Sequence, residues 1–212
     1  MPFISQLLRR NRMEKLTSAE TYAIIGKYLH TNTSTPMKPN SPRAQKIFEK
    51  AYAENTDALF RFAYYRISDR EQALDIVGDA FVRFWEALAK EEVREPRAFL
   101  FKVTRNLIID WYRKKKSIPV QDFGETAGPA ENAEKFMDMF AGDLAGADVL
   151  SEARLVIEKI RTLEPIYRET LYFRFVEELS PKEISEITGE HTNLISVRVN
   201  RGLKLLKAAL RI

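Results

Sequence analysis

Ser180-Pro181-Lys182-Glu183-Ile184-Ser185-Glu186-Ile187-Thr188-Gly189, with Thr192 to Leu210 behind it, decides the fold class. Serine followed three residues later by glutamate is a capping box, in which each side chain pairs a backbone N–H that the first helical turn leaves without a partner. Proline suits the first helical position, where its missing N–H is no loss. Ile184 and Ile187 give the short helix its apolar side, and Gly189 stands where a left-handed residue ends a helix. A second helix runs from about Thr192 to Leu210, so the pair reads as a helix-turn-helix. Ile195, Val199, Gly202, Leu206 and Ala209 share one face of it, the expected core face. Asn193, Ser196, Val197, Asn200, Lys204 and Lys207 lie opposite, flanked by Arg198 and Arg201. From Thr192 to Arg211 there are five bases and no acid. Small polar residues near the helix start can reach base edges in a major groove, while the bases beyond reach phosphates. A solvated helix that balances its own C-terminal dipole would carry similar charge. The capped helix and glycine turn before it tip the reading toward DNA.

Upstream, helices are expected over Leu150–Thr162 and over Pro165–Glu178, the latter burying Ile166, Leu171 and Phe175. Residues 117–148 read as an acidic flexible linker. Glycines and prolines punctuate that region, and Asp122, Glu125, Glu131, Glu134, Asp138, Asp143 and Asp148 face the single base Lys135. A short helix near Ala133–Phe140 is its one expected element. So long a structureless connection argues for two domains. Residues 42–116 then form the first, a bundle of three helices. Ile47, Phe48, Tyr52, Leu59, Phe62 and Ala63 mark its first helix. Ser68-Asp69-Arg70-Glu71 reads as a capping box opening a second, with Ala73, Val77, Ala80, Phe84 and Leu88 as core. Pro96 opens a third along Leu100, Val103, Leu107 and Trp111, widened by Phe99, Ile108 and Tyr112. Residues 149–212 are the second domain. Residues 1–41 read as a partly disordered extension ending in a Thr/Ser/Pro-rich stretch, with a short helix through Tyr22, Ile25 and Leu29.

The chain is therefore expected to be all-α, two small helical domains joined by an acidic linker. Composition agrees: of 212 residues, 45% are hydrophobic and 30% charged, with only 8 glycines and 9 prolines. The absence of cysteine excludes disulfides and thiolate metal sites, and two histidines leave little for a histidine-based metal site or triad. No metal and no cofactor are expected. No apolar run nears the roughly 20 residues that span a bilayer, and no signal-peptide pattern is read, so a cytoplasmic location without a membrane partner is expected. The net charge of +4 decides nothing; its distribution does.

The third helix offers a second basic surface: Lys102, Arg105, Asn106, Ile109 and Arg113 lie opposite its core stripe, and Lys114 continues the charge. Phe99, Phe101, Trp111 and Tyr112 interleave with these bases, a combination that suits unpaired nucleotides; core packing is the competing role for Phe99 and Trp111. On the second helix Asp75, Asp79, Val82 and Glu86 make an acidic stripe. Such a stripe repels DNA and suits a basic protein partner. No phosphate loop, zinc helix or glycine fingerprint is present, and no enzyme is expected.

Three stretches resemble bacterial RNA polymerase sigma factors, in their usual order. Ala73-Leu74-Asp75-Ile76-Val77-Gly78-Asp79-Ala80-Phe81-Val82-Arg83-Phe84-Trp85 is similar to the polymerase-binding helix. Arg97 to Arg113 is similar to the promoter-melting and minus-ten segment, and Tyr167 to Leu203 to the C-terminal helix-turn-helix. The short two-domain layout resembles the extracytoplasmic-function (ECF) subfamily. The resemblance implies a promoter-specificity factor with core RNA polymerase, promoter DNA and an anti-sigma factor as partners. It implies that Asp75, Ile76, Asp79 and Val82 face the polymerase. Asn106, with the loop Ala89–Glu95, would hold a flipped minus-ten base, and Lys102, Arg105, Arg113 and Lys114 would follow the backbone. Ser196, Val197, Asn200 and Arg201 would read the minus-thirty-five duplex, and the linker would thread through the polymerase. Gly78 replaces a frequent glutamine of the family, Ser196 a frequent base, and Thr188 and Glu190 residues that are usually apolar. A helix-turn-helix regulator that binds duplex DNA unaided, and a protein that binds polymerase without initiating transcription, are the alternatives.

Overall fold

The computed structural model describes residues 42–90, 93–116 and 147–211. Among these are seven α-helices, one π turn and no strand. Helices α1 (Pro42–Ile67), α2 (Arg70–Lys90) and α3 (Pro96–Lys116) come first. After them come α4 (Ala147–Thr162), α5 (Pro165–Leu171), the π turn (Tyr172–Val176), α6 (Pro181–Thr188) and α7 (Thr192–Leu210). The N-terminal extension with its expected helix, and linker residues 117–146, lie outside the described residues. Helix α4 starts at Ala147, inside the expected linker.

The first three helices pack as the periodicity predicts. Phe48, Leu59, Phe62 and Ala63 of α1 meet Ala73, Val77, Ala80 and Phe84 of α2 and Leu100 and Ile108 of α3, all buried. Phe48 sits edge-to-face on Trp85 at 4.9 Å, a geometry in which a positive ring edge meets a negative face.

The start of α2 differs from the expected capping box by one residue. Ser68 has φ 60° and closes α1 instead, its N–H donating to the Tyr64 carbonyl at 2.8 Å. Asp69 is the cap, its Oδ1 accepting from the Gln72 N–H at 3.1 Å. The box at Ser180 forms as expected, with Ser180 Oγ accepting from the Glu183 N–H and Glu183 Oε2 accepting from the Ser180 N–H. Replacing Ser180 with alanine is expected to cost about 1 kcal/mol, read as a lowered urea midpoint with unchanged slope. Gly189 ends α6 at φ 76° as expected. Gly202 lets α7 approach α5 closely, since a Cβ there would lie 3.1 Å from Leu171 Cγ.

The expected helix over Pro165–Glu178 is corrected. It gives way at Tyr172 to a π turn, closed by the Glu177 N–H donating to the Tyr172 carbonyl at 3.2 Å. The wider turn brings three consecutive residues, Leu171, Tyr172 and Phe173, into the interior. Ile166 and Phe175, expected in the core, are instead 45% and 47% exposed.

Tyr172 and Phe173 do not stay within their own half of the chain. Phe173 packs on Phe62 at 4.9 Å and on Phe101 at 5.8 Å, and Tyr172 stacks on Tyr65 at 4.5 Å. Helix α6 lies against α3, and Leu179, Ile184, Ile187 and Ile195 join the same buried cluster as α1–α3. A smaller cluster of Ile160, Leu171 and Leu206 holds α4, α5 and α7 together.

Candidate nucleic-acid interface

Helix α7 is anchored by buried Ile195, Gly202 and Leu206, with Val199 partly buried beside them. Its other face is open: Asn193, Val197, Asn200, Arg201 and Lys204 are all exposed. Ser196 is half-buried, and its hydroxyl donates to the Thr192 carbonyl at 3.0 Å, so a local bond occupies a group expected to face DNA. Arg198 is not a free cation for phosphates: its guanidinium is held by both carboxylate oxygens of Glu190, Nη2 lying 2.7 Å from Oε1. The polar turn residues build a network of their own. Ser185 donates to the Glu190 carbonyl, Thr188 Oγ1 to the Ile184 carbonyl at 2.9 Å, and the Glu190 N–H to Thr188 Oγ1. Thr188 and Glu190 thus fix the angle between α6 and α7 by hydrogen bonds and one fork-to-fork ion pair.

On α3, Lys102, Asn106, Arg113 and Lys114 are exposed and Ile109 is half-buried. Arg113 pairs with Asp110 at 3.6 Å along the helix. Phe101 is not available for stacking on bases: it is fully buried between Phe62 and Phe173. Trp111 and Tyr112 are half-buried and meet edge-to-face at 4.8 Å. The connection from α2 to α3 borders a cleft of about 980 Å³, lined by six cations (Arg43, Lys50, Arg61, Lys90, Arg94 and Arg97) and by the carboxylates of Glu54 and Glu95. Asn106 is not among the residues lining it.

On α2, Asp75, Asp79, Val82 and Glu86 are half-buried along one side. Burial pushes the Asp75 carboxyl above its usual range, and the Asp79 charge adds to the shift. Burial also raises Asp79, against Arg83 and Lys114. A partly desolvated acidic pair gains most from an incoming cation. Ile76 is a correction: at 4% exposure it belongs to the buried cluster, on the border between the acidic side and the core side.

Arg105, expected to follow DNA, has an internal partner. Its Nε and Nη2 donate to Oε1 and Oε2 of Glu169, each at 3.1 Å. Arg66 of α1 donates to the same carboxylate at 3.1 Å. Burial alone would raise the Glu169 carboxyl, but Arg66 and Arg105 outweigh it and hold the group below its ordinary value, with Arg198 adding to the pull. A second contact joins the same two parts of the chain: Arg97 donates to the Glu177 carbonyl at 2.7 Å, and the Tyr172 hydroxyl donates to Glu177 Oε1 at 3.0 Å. Neither carboxylate is marked in the sequence, because its partners lie far along the chain. The Glu190–Arg198 pair is nearer to legible, an acid at the turn and a base about two turns into the next helix. Among the described residues no group of three or more His, Asp or Glu side chains is placed to hold a metal ion, and no helix is long and apolar enough to cross a membrane.

These surfaces coincide with two family signatures. Residues 51–118 match Sigma-70 region 2, and residues 153–206 match Sigma-70, region 4. The RNA polymerase sigma factor SigV of Bacillus subtilis (strain 168) is 30% identical over 155 residues, 72% of this chain and 84% of the relative. The chain belongs to the ECF sigma factors. The ECF RNA polymerase sigma factor SigW of the same organism is 28% identical over 159 residues, 73% of this chain and 84% of the relative. BldN of Streptomyces coelicolor, another ECF sigma factor, is 24% identical over 161 residues, covering 75% of this chain and 58% of the relative. As a sigma factor, the protein directs transcription initiation at promoters and is not itself an enzyme. Its sigma-factor relatives imply binding to core RNA polymerase and promoter DNA.

Proposed function

We propose the following division of labour. Residues 42–116 form the polymerase-binding and minus-ten module. The acidic side of α2, through Asp75, Asp79 and Val82, meets basic groups of the core enzyme. Helix α3 engages the opened minus-ten strand through Lys102, Arg105, Asn106, Ile109, Arg113 and Lys114. Residues 149–212 form the minus-thirty-five module, in which Asn193, Ser196, Val197, Asn200, Arg201 and Lys204 of α7 meet duplex DNA. Capturing unstacked bases offsets the few kcal/mol that unstacking each one costs. An anti-sigma protein is the further partner, and the cytoplasm the compartment. The observation that carries the reading is α7: a polar and basic face stands open while the opposite face is pinned in the core.

Run-off transcription with purified core polymerase, on the DNA upstream of the protein's own coding region, tests the proposal. A specific transcript is expected. If none appears, and the chain and core enzyme also fail to co-migrate at low salt, the reading fails. For Arg201→Ala a loss of about 1–3 kcal/mol in promoter affinity is expected if the guanidinium reads a base, measured by fluorescence anisotropy. An equal loss on all sequences would assign Arg201 to phosphate alone.

A further inference from the structure

We infer that the packed arrangement is self-masking: Glu169 of the minus-thirty-five module occupies Arg105 of the minus-ten helix as a stand-in for a DNA phosphate. The inference rests on the proposed role of Arg105. The same guanidinium cannot hold the Glu169 carboxylate through two N–H groups and hold a phosphodiester with that fork at the same time. The Glu169 side chain is 14% exposed and that of Arg105 is 26% exposed, so water screens the pair only in part. Arg66 contributes from α1, so one carboxylate ties α5 to both α1 and α3. The contact is more than an ion pair, because Phe173 and Tyr172 are seated on Phe62, Phe101 and Tyr65 beside it.

Two consequences follow. In the closed form the minus-thirty-five face of α7 stays open while part of the minus-ten surface is occupied, so the free factor is competent for one promoter element and restrained at the other. Opening exposes the rings of Phe62, Phe101, Tyr172 and Phe173, a cost in water. The open form is therefore populated only when a partner covers that surface or when the ionic contact is removed. A ligand shifts such an equilibrium only by its differential affinity for the two forms.

Glu169→Gln in the full-length protein is the test. It keeps the side-chain shape and removes the carboxylate charge that Arg66 and Arg105 share. Glu186→Gln, an exposed residue of α6, is the charge-matched control. Distances are read by electron spin resonance between labels on cysteines introduced at Lys50 and Lys207, which is clean because the chain has no cysteine of its own. DNA binding is read with a fluorescein-labelled single-stranded oligonucleotide of mixed sequence, without polymerase. Glu169→Gln is expected to lengthen the distance distribution and to tighten oligonucleotide binding by about fivefold or more over Glu186→Gln, because apparent affinity scales with the fraction of chain in the competent form. Arg66→Gln, which weakens the tie and leaves Arg105 in place, is expected to move both readouts the same way. Unchanged distances in both variants overturn the inference. Longer distances with no gain over the control overturn the masking of Arg105. The distance readout involves no DNA, and a missing transcript in the run-off assay would count against the promoter reading alone.

Discussion

Transcription from the protein's own promoter is expected to be lost in the Asp75→Arg, Asp79→Arg variant. Both carboxyls sit half-buried on α2, and both are shifted upward by burial, so neither is fully solvated before a partner arrives. Close charge pairs at protein interfaces show coupling of about 1.5–7 kcal/mol, and like charges brought together cost several kcal/mol more. Reversing two charges is therefore expected to weaken polymerase binding by at least about a hundredfold, a factor of ten for each ~1.4 kcal/mol. Core enzyme and variant should no longer co-migrate. Duplex binding through α7 should persist, since that face lies on a different helix. Asp79 faces Arg83 and Lys114, so an arginine there also meets local repulsion. The Asp75→Asn, Asp79→Asn variant separates the two effects: it removes the attraction without adding repulsion, and should weaken binding less than the reversal while keeping the unfolding midpoint. Undiminished run-off transcription by the reversed variant would point instead to a helix-turn-helix regulator that acts without gripping polymerase through α2.

Features that are local in sequence were legible there. The capping box at Ser180, the left-handed Gly189 and the inward face of Ile195, Gly202 and Leu206 each depend on residues within a few positions of one another. So does the acidic side of α2. At Ser68 two capping residues stand side by side, and the tie is broken by the end of α1, which needs a left-handed residue at Ser68 and so leaves the cap to Asp69. The π turn defeated periodicity, because a wider turn buries Leu171, Tyr172 and Phe173 in succession and turns Phe175 outward. The burial of Phe101 and the internal partner of Arg105 were missed for one shared reason. On α3 alone, one looks like a stacking ring and the other like a free cation. Each meets its partner, Phe173 or Glu169, from the far end of the chain, and no spacing rule reaches that distance.

That long-range contact makes the second large prediction. Phe173→Ala is expected to lower the stability of the whole described fold by about 3–5 kcal/mol, the usual cost of emptying a buried phenylalanine site. Phe173 is fully buried. Its ring lies between Phe62 of α1 and Phe101 of α3, while its backbone belongs to the π turn. The vacated space therefore opens between the two parts of the chain, and neither can close over it alone. Both tryptophans, Trp85 and Trp111, lie in α2 and α3, so their fluorescence reports on the first part only. A substitution in the second part that lowers the urea midpoint of the tryptophan signal demonstrates that the two unfold as one cooperative unit. Far-ultraviolet circular dichroism should give the same midpoint. If helical signal is lost at low urea while the tryptophan midpoint stays at its wild-type value, the parts unfold independently, and the aromatic seat between them contributes little to holding the chain closed.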